Sequence, residues 1–173
     1  MQVEFYGLLA LRQSSRHKEH VKIRLYEKTD FERLYEIDHQ AFSERIAYSH
    51  LELQYYVRSR KCRTLIAEDD GTIVGFVIGC SEPSNLGHII TIDVVPGRQR
   101  QHIGSLMLAE IESWLWERGA KAIYLETPVD DTGAQGFYDK HGYFVIERVP
   151  RYYHKSLDGL VMMKTSKRSD VHE

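Results

Sequence analysis

The chain has 173 residues, a formal net charge of −2 at pH 7 and a hydrophobic content of 42%. This length fits one domain that buries about 70% of the surface exposed by its unfolded form. The near-neutral charge argues against a globally basic nucleic-acid binder, and no apolar run is long enough to span a membrane. We therefore expect neither nucleic acid nor a membrane as a partner.

The two cysteines, Cys62 and Cys80, have no metal-ligand spacing and belong to no redox motif. We interpret them as reduced thiols of a cytoplasmic protein, with packing as their role, and expect neither a disulfide nor a metal site.

Both ends of the chain are expected to lie outside the folded domain. Residues 1–11 are moderately apolar, but Glu4 interrupts them and no basic lead or cleavage site frames them, so a secretory signal is not expected. Residues 14–20 are polar. The predicted organisation is an extension at 1–20, a domain at 21–165 and a polar tail at 166–173.

The predicted domain begins with a strand and two helices. Residues 21–25 alternate apolar and charged side chains, which is typical of a half-buried strand. Each helix is predicted to begin with a capping box, formed by Thr29 with Glu32 and by Ser49 with Glu52. We expect the loop between the helices to line the mouth of a substrate site.

A hairpin and a further strand are predicted next. Asp70 and Gly71 separate apolar runs at 64–68 and 73–78, and an Asp-Gly pair in this setting predicts a tight turn. The apolar run at 88–95 predicts a central strand that leads into the third helix.

The third helix has an apolar stripe at three- and four-residue intervals, and Gly119 follows as its stop. The stripe is predicted from Ile103, Leu106, Met107, Ile111, Trp114 and Leu115. Residues 122–126 form the next predicted strand. The strand–helix–strand unit is therefore expected to be parallel, with a right-handed crossover.

The last part of the domain is predicted to contain a short helix and two strands. Asp131 is expected to cap the helix, which carries Phe137 and Tyr138, and Gly142 to end it. The strands are predicted near 144–148 and 160–163. The whole order, β-αα-βββ-α-β-α-ββ, predicts an α/β domain with a mixed sheet.

A cationic turn precedes the third helix, directly after the strand that stops at Pro96. The first N–H groups of a helix lack intrahelical partners and carry a partial positive charge, so they bind phosphate groups. Residues 99–105 are therefore a predicted phosphate site. The alternative is a solvated basic turn.

This turn resembles the acyl-CoA loop of the GNAT acetyltransferases. Val-x-Pro followed by Gln99-x-x-His102-x-Gly104 is similar to the family pattern Gln/Arg-x-x-Gly-x-Gly/Ala, except that His102 replaces the first glycine. The predicted element order over 21–165 also matches that of the family. The resemblance implies a mixed sheet that bulges and splays at the fourth and fifth strands, and helices on both sides.

The same resemblance implies acetyl-CoA as the acyl donor. Backbone amides near Asp93–Val95, where the fourth strand bulges in the family, would meet the acetyl carbonyl. Asp131 either contacts the CoA chain or only caps its helix. The implied donor-binding residues are Asp93, Val94, Val95, Gln99, Arg100, Gln101, His102, Ile103, Gly104, Ser105, Asp131 and Tyr138.

Two candidate catalytic residues follow from a second resemblance. Leu125-Glu126, Phe137-Tyr138 and His141-Gly142-Tyr143 are similar to the Leu-Glu…Leu-Tyr…Gly-Phe run of RimI-type N-terminal acetyltransferases. This implies Glu126 as a base acting through water and Tyr138 as the acid toward the CoA sulfur. The alternatives are a solvent-exposed strand end for Glu126 and core packing for Tyr138. His88 is expected at a solvent-exposed strand edge or as a proton relay.

The acceptor side is predicted from tyrosines. Residues 150–162 resemble the Tyr-Tyr…Asp-Ala…Met ending of the protein N-terminal acetyltransferases, and cross-strand packing is the alternative role for their tyrosines. The candidate substrate-binding residues are Tyr48, Tyr124, Tyr152 and Tyr153.

The implied function is acetylation of the α-amine of a protein or peptide, with ribosomal proteins among the candidates. The alternatives are a small amine, amino acid or antibiotic as acceptor, or a noncatalytic acyl-CoA-binding module. A homodimer is compatible with the sequence.

Overall fold

A computed structural model describes residues 21–43, 46–153 and 156–166. The predicted extension at 1–20 lies outside the described residues, as does the predicted tail after residue 166. The described strands are β1 (Val21–Leu25), β2 (Cys62–Asp69), β3 (Thr72–Glu82), β4 (Leu86–Val94), β5 (Ala122–Pro128), β6 (Phe144–Tyr153) and β7 (Leu157–Thr165). The described helices are α1 (Phe31–Ala41), α2 (His50–Arg58), α3 (Ile103–Glu117) and α4 (Thr132–Lys140).

The strands form one mixed sheet in the order β1-β2-β3-β4-β5-β7-β6. Only β4 and β5 pair in parallel among the described strands, which confirms the predicted strand–helix–strand unit. Alternating side chains of β2 enter two cores on opposite faces: Leu65 packs in the core that contains α3, and Ile66 in the core that contains α1 and α2. The sheet is therefore the middle of three layers.

The helix starts differ in how well the sequence predicted them. Ser49 and Glu52 form the predicted capping box of α2. The box predicted from Thr29 and Glu32 is wrong, because α1 begins at Phe31. Asp30 accepts the Glu27 N–H at 2.8 Å and binds the Arg24 guanidinium through two bonds of 2.7 and 2.9 Å.

The predicted stripe of α3 is confirmed except at Leu106, which is 48% exposed. Leu106 lies roughly 140° around the helix from the middle of the face that the structure buries, whereas Leu108, which is fully buried, lies roughly 60° from it. Leu106 was predicted to be buried because it lies three residues after Ile103, but it falls outside the face of the helix that is buried.

The expectation of two reduced thiols is wrong, because Cys62 and Cys80 form a disulfide. The antiparallel register of β2 and β3 places the two residues directly opposite each other. They are 18 residues apart in sequence, a separation that carries no recognisable spacing. The pairing of β2 with β3 brings them together, and no short motif predicts that pairing at this end of the hairpin.

The fourth and fifth strands separate as expected. Their described pairing runs from Leu86 opposite Ala122 only as far as His88 opposite Tyr124. The bulge expected near Asp93–Val95 instead lies at Ile90, because β3 skips no residue between the partners of Ile89 and Thr91. The splay beyond His88 opens the central face of the sheet.

The described sheet has β1 and β6 as its edge strands, and β6 continues to Tyr153 beyond the strand predicted near 144–148. Three consecutive apolar residues, Phe144, Val145 and Ile146, are about half exposed on this edge. Among the described residues, none of the helices is long and apolar enough to cross a membrane.

Candidate active site

One cleft of about 1630 Å³ occupies the splay between β4 and β5. Its loop end is formed by residues 98–100 and 102–105, and its tyrosine end by Tyr48, Tyr152 and Tyr153. Glu126 lies on the wall beside the tyrosine end, and Asp131 and Tyr138 lie on the walls between the two ends. The splay therefore joins the predicted phosphate site and the predicted acceptor site in one continuous space.

The loop end presents main-chain donors. Arg100 and His102 have φ angles of +58° and +64°, in the left-handed region that glycine adopts at least cost. His102 is the N-cap of α3 and gives no side-chain cap bond, while its carbonyl accepts the Leu106 N–H at 3.0 Å. The amides at the start of α3 are thus free of intrahelical partners, as phosphate binding requires.

Side chains anchor the loop to the sheet. Arg98 binds Asp69 at 2.6 Å and the Gln101 side chain at 2.9 Å, so both loop residues are engaged within the protein. Gln99 donates from its side-chain amide to the Val94 carbonyl at 3.2 Å. Arg100 remains the loop guanidinium without a described carboxylate partner.

The end of β4 offers one amide to the splay. The Val95 N–H donates to the Val74 carbonyl of β3 at 3.0 Å, and amides alternate in direction along a strand, so the Val94 amide faces the cleft. The side chain of Asp93 turns into the core, where it is 1% exposed and accepts a 2.7 Å bond from the Thr91 hydroxyl. Burial raises the pKa of Asp93 well above its usual range.

Tyr138 and Asp131 approach the cleft from α4. The Asp131 carboxylate accepts the Ala134 N–H at 2.9 Å, so it is the predicted helix cap and also lines the cleft. Tyr138 is 8% exposed, and burial followed by the nearby Asp93 raises the pKa of its phenol. The phenol is therefore protonated at neutral pH and able to donate.

Glu126 lies on the wall of the cleft and is hydrogen-bonded to His88. Its carboxylate lies 2.8 Å from Nε2 of His88, and both side chains are largely buried. The His88 ring stacks on Tyr124, with centroids 4.2 Å apart and an angle of 13° between planes. Burial and the nearby Glu126 raise the pKa of Tyr124 to about 12.

Phenols surround this pair at the tyrosine end. Tyr48 donates its hydroxyl to the Ile90 carbonyl at 3.1 Å and packs edge-on against Tyr56. The rings of Tyr152 and Tyr153 pack edge to face, with their centroids 4.9 Å apart. Burial together with the Glu126 charge raises the pKa of Tyr152, and its hydroxyl also interacts with the Glu126 carboxylate.

A buried carboxyl supports Tyr48 from behind. The side chain of Asp38 is fully buried and accepts the Tyr48 N–H at 2.8 Å. Burial raises the pKa of Asp38 to about 6, and that bond opposes the increase. The other oxygen of Asp38 and the second oxygen of Asp93 have no hydrogen-bond partner among the described residues.

Most of the candidate residues meet in the cleft. The structure places Tyr48, Val94, Gln99, Arg100, His102, Ile103, Gly104, Ser105, Glu126, Asp131, Tyr138, Tyr152 and Tyr153 on its walls. Asp93, Val95, Gln101 and Tyr124 do not line it. Tyr124 contributes through its stacking on His88. The sequence analysis left His88 between two roles, because a pair 38 residues apart gives no local pattern.

Comparison with known proteins gives the family. Residues 22–143 match the model of the Acetyltransferase (GNAT) family. An uncharacterized N-acetyltransferase of Methanocaldococcus jannaschii is 30% identical over 143 residues, which are 82% of this chain and 90% of that protein. The chain is also 28% identical over 133 residues to a [ribosomal protein bS18]-alanine N-acetyltransferase of Haemophilus influenzae, covering 77% and 88% of the two chains.

The fold agrees with this result. The crystal structure of Ard1 from Thermoplasma volcanium superposes with a TM-score of 0.78 at 23% identity, covering 84% of this chain and 97% of that one. The chain belongs to the GNAT acetyltransferase family. It is an enzyme, and its acyl donor is acetyl-CoA, which corrects the alternative of a noncatalytic module.

The residues present fit this donor. The start of α3 offers free amides and Arg100 adds a positive charge, both of which suit a diphosphate. Gly104 lies close to Phe137, since a Cβ on it would come within 3.4 Å of that ring. The unpaired edges of β4 and β5 suit an extended chain of amides.

Proposed function

We propose that this enzyme transfers the acetyl group of acetyl-CoA to the α-amine of a protein or peptide. The observation that carries the proposal is the His88–Glu126 pair at 2.8 Å, which lies between the loop end and a tyrosine-lined wall. The cleft volume of about 1630 Å³ exceeds the roughly 300–1,000 Å³ of a small-ligand site, so it has room for a donor and an extended acceptor. The printed name of the Haemophilus relative, a ribosomal-protein-alanine N-acetyltransferase, supports this acceptor class.

The loop end holds the donor in this proposal. The amides of Ile103, Gly104 and Ser105 and the guanidinium of Arg100 bind the diphosphate, and the Val94 amide faces the acetyl carbonyl. Gln99, His102 and Asp131 lie beside the bound chain, and Asp93, Val95 and Gln101 support the loop and strand without lining the cleft. When bound, the thioester supplies the acetyl group and a thiolate leaving group.

Glu126 is the proposed base. A peptide α-amine has a pKa of about 7.7–8.0, so a large part of it is protonated near neutral pH and must lose a proton before attack. The Glu126 carboxylate, directly or through a water molecule, accepts that proton, and His88 holds the carboxylate in position. The new C–N bond forms as the C–S bond breaks.

Tyr138 is the proposed acid. Its phenol stays protonated at neutral pH because burial raises its pKa, and it faces the same cleft as Glu126. It donates its proton to the departing sulfur and is reprotonated, through solvent, by the second proton that the nitrogen loses once the C–N bond has formed; Glu126 releases to solvent the proton that it took from the ammonium group. Glu126 thus acts on the attacking nitrogen, and Tyr138 acts on the departing sulfur.

The tyrosine end receives the acceptor. Tyr48 has already donated its hydroxyl to Ile90, so it offers its ring to the peptide. Tyr152 and Tyr153 form the opposite wall, and Tyr124 acts through His88. A new polypeptide exposes its α-amine in the cytoplasm, which is the location that this proposal implies.

A panel of acceptors tests the proposal. Purified enzyme is incubated with acetyl-CoA and heptapeptides that differ in their first residue, beginning with alanine. The same peptides with a blocked α-amine are the matched controls, and a set of small amines, amino acids and aminoglycosides forms the second arm. Turnover of free but not blocked peptides supports the proposal. Turnover confined to the small molecules contradicts it.

A further inference from the structure

A bulge in β6 shapes the tyrosine end. Val149 pairs with Gly159 and Tyr153 pairs with Leu157, so the three residues 150–152 lie opposite Asp158 alone. Arg151, in the middle, has a φ of +56°, in the left-handed region that residues with a side chain rarely adopt. Bulges of this kind redirect side chains, and a strained one needs bonds that hold it.

The bonds come from Asp158. One carboxylate oxygen accepts the Arg151 N–H at 2.9 Å, and the other accepts from Arg148 at 2.8 Å. The Asp158 carbonyl accepts the Val129 N–H at 3.0 Å, just beyond the end of β5. One residue therefore connects the bulge to the strand that carries Glu126.

The bulge decides where Tyr152 lies. Tyr152 packs directly on Gly159, where an added Cβ would come within 2.9 Å of the Tyr152 Cβ. The side chain is 45% exposed, and it also contacts the Tyr153 ring and the Glu126 carboxylate. From this position it lines the cleft together with Glu126 and Tyr153.

We propose that Asp158 is a positioning residue for the acceptor: its carboxylate holds the β6 bulge, and the bulge places Tyr152 beside Glu126, where the acceptor amine must enter. This inference rests on the proposed function for the identity of the acceptor. It assigns no contact between Asp158 and substrate. Asp158 acts through Arg151 and Tyr152.

Kinetics with the alanine-initiated heptapeptide test the role of Asp158. Asp158→Ala removes both carboxylate bonds, and we expect about a tenfold rise in the peptide KM, while the acetyl-CoA KM changes less than about twofold. Asp158→Asn keeps an oxygen for the Arg151 N–H and should recover most of the loss. Glu147→Gln, the same chemical change on an exposed neighbour in β6, should leave both constants unchanged.

Two further variants separate positioning from a general loss of structure. Gly159→Ala displaces Tyr152 without altering the carboxylate and should raise the peptide KM as Asp158→Ala does. In a Tyr152→Phe background, Asp158→Ala should add less than about twofold, because the same element is already impaired. Full additivity of the two substitutions, or an equal rise in the acetyl-CoA KM, overturns the proposal.

Amide hydrogen exchange gives a readout that needs no acceptor. Asp158→Ala should accelerate exchange at the Arg151 amide at least about tenfold, while amides in β5 stay protected. Unchanged exchange at Arg151 overturns the role of Asp158 even if peptide turnover is normal. Failure of the wild-type enzyme to acetylate peptides would contradict the proposed function alone, since the exchange result still decides whether Asp158 holds the bulge.

Discussion

The two ends of the cleft are built from different parts of the chain. The loop end consists mainly of backbone: the free amides of α3 and two residues with positive φ angles. The tyrosine end consists of side chains held by long-range contacts, such as His88 with Glu126. We expect backbone recognition to tolerate a substitution such as His102 for glycine, and the side-chain network to depend on each of its members. We therefore expect mutations to have larger effects at the tyrosine end.

The largest effect is expected from Glu126→Gln. The amide keeps the shape of the side chain but cannot accept the amine proton, so kcat with the alanine-initiated peptide should fall by about 100- to 10,000-fold. Calorimetry should show unchanged affinity for CoA, because the loop end is untouched. Wild-type turnover by this variant would show that Glu126 is not the base.

Reduction of the disulfide should come next. The Cys62–Cys80 bond closes a segment with a separation of 18 residues, and a loop of this size contributes about 3 kcal/mol to the free energy of unfolding. Thermal denaturation with and without dithiothreitol measures the loss. The double variant Cys62→Ala/Cys80→Ala is the control and should not respond to the reductant. Two reactive thiols in the unreduced, denatured wild-type protein would contradict the bond.

Tyr138→Phe tests whether the Tyr138 phenol, on the wall between the two ends of the cleft, donates a proton to the leaving sulfur. Loss of the donated proton should lower kcat about 100-fold, with a peptide KM near that of the wild type. Phe137→Leu, a change in the neighbouring ring, is the control for packing in α4. An acyl donor with a more acidic thiol should restore part of the rate in Tyr138→Phe. Equal losses with both donors would favour a packing role.

Asp93→Asn tests whether the buried carboxyl of Asp93, at the end of β4, makes the stability of the protein depend on pH. The pKa of Asp93 is raised in the folded state, so the unfolded state ionises first and stability falls as pH rises above about 4. Asp38, with a pKa raised to about 6, contributes in the same direction between about pH 4 and 6. The free energy of unfolding of Asp93→Asn should exceed that of the wild type by roughly 1–3 kcal/mol at pH 8. At pH 4 the two proteins should differ little. A difference that does not vary with pH would exclude a buried ionisation at this site.

The smallest effect is expected from His102→Gly. Relief of the positive φ angle is opposed by the greater backbone freedom of glycine, so the free energy of unfolding should rise by about 0.5 kcal/mol. CoA affinity should change less than about twofold. His102→Val places a β-branched side chain at the same angle and should be clearly less stable than the wild type. A large loss of CoA affinity in His102→Gly would show that the imidazole itself binds the donor.

The sequence predicted the features that depend on local pattern. The Asp70–Gly71 turn, the Ser49 capping box and the order of elements follow from neighbouring residues, and the structure confirms them. The Cys62–Cys80 bond, the bulge at Ile90 and the His88–Glu126 pair depend on strand register. Register is set by the packing of whole strands, so no short motif indicates it. The catalytic assignments of Glu126 and Tyr138 remain predictions that rest on resemblance and on their position in the cleft.

The edge strand β6 has a consequence for how the protein behaves in concentrated solution. Its outer edge carries unpaired main-chain donors and acceptors beside the exposed Phe144, Val145 and Ile146. This combination favours intermolecular strand pairing and aggregation. The register shift at Ile146 and the kink at residues 150–152 both interrupt the regular spacing of that edge, so an incoming strand finds only short regular stretches to pair with. The same irregularity that shapes the catalytic wall therefore also shortens the surface open to aggregation.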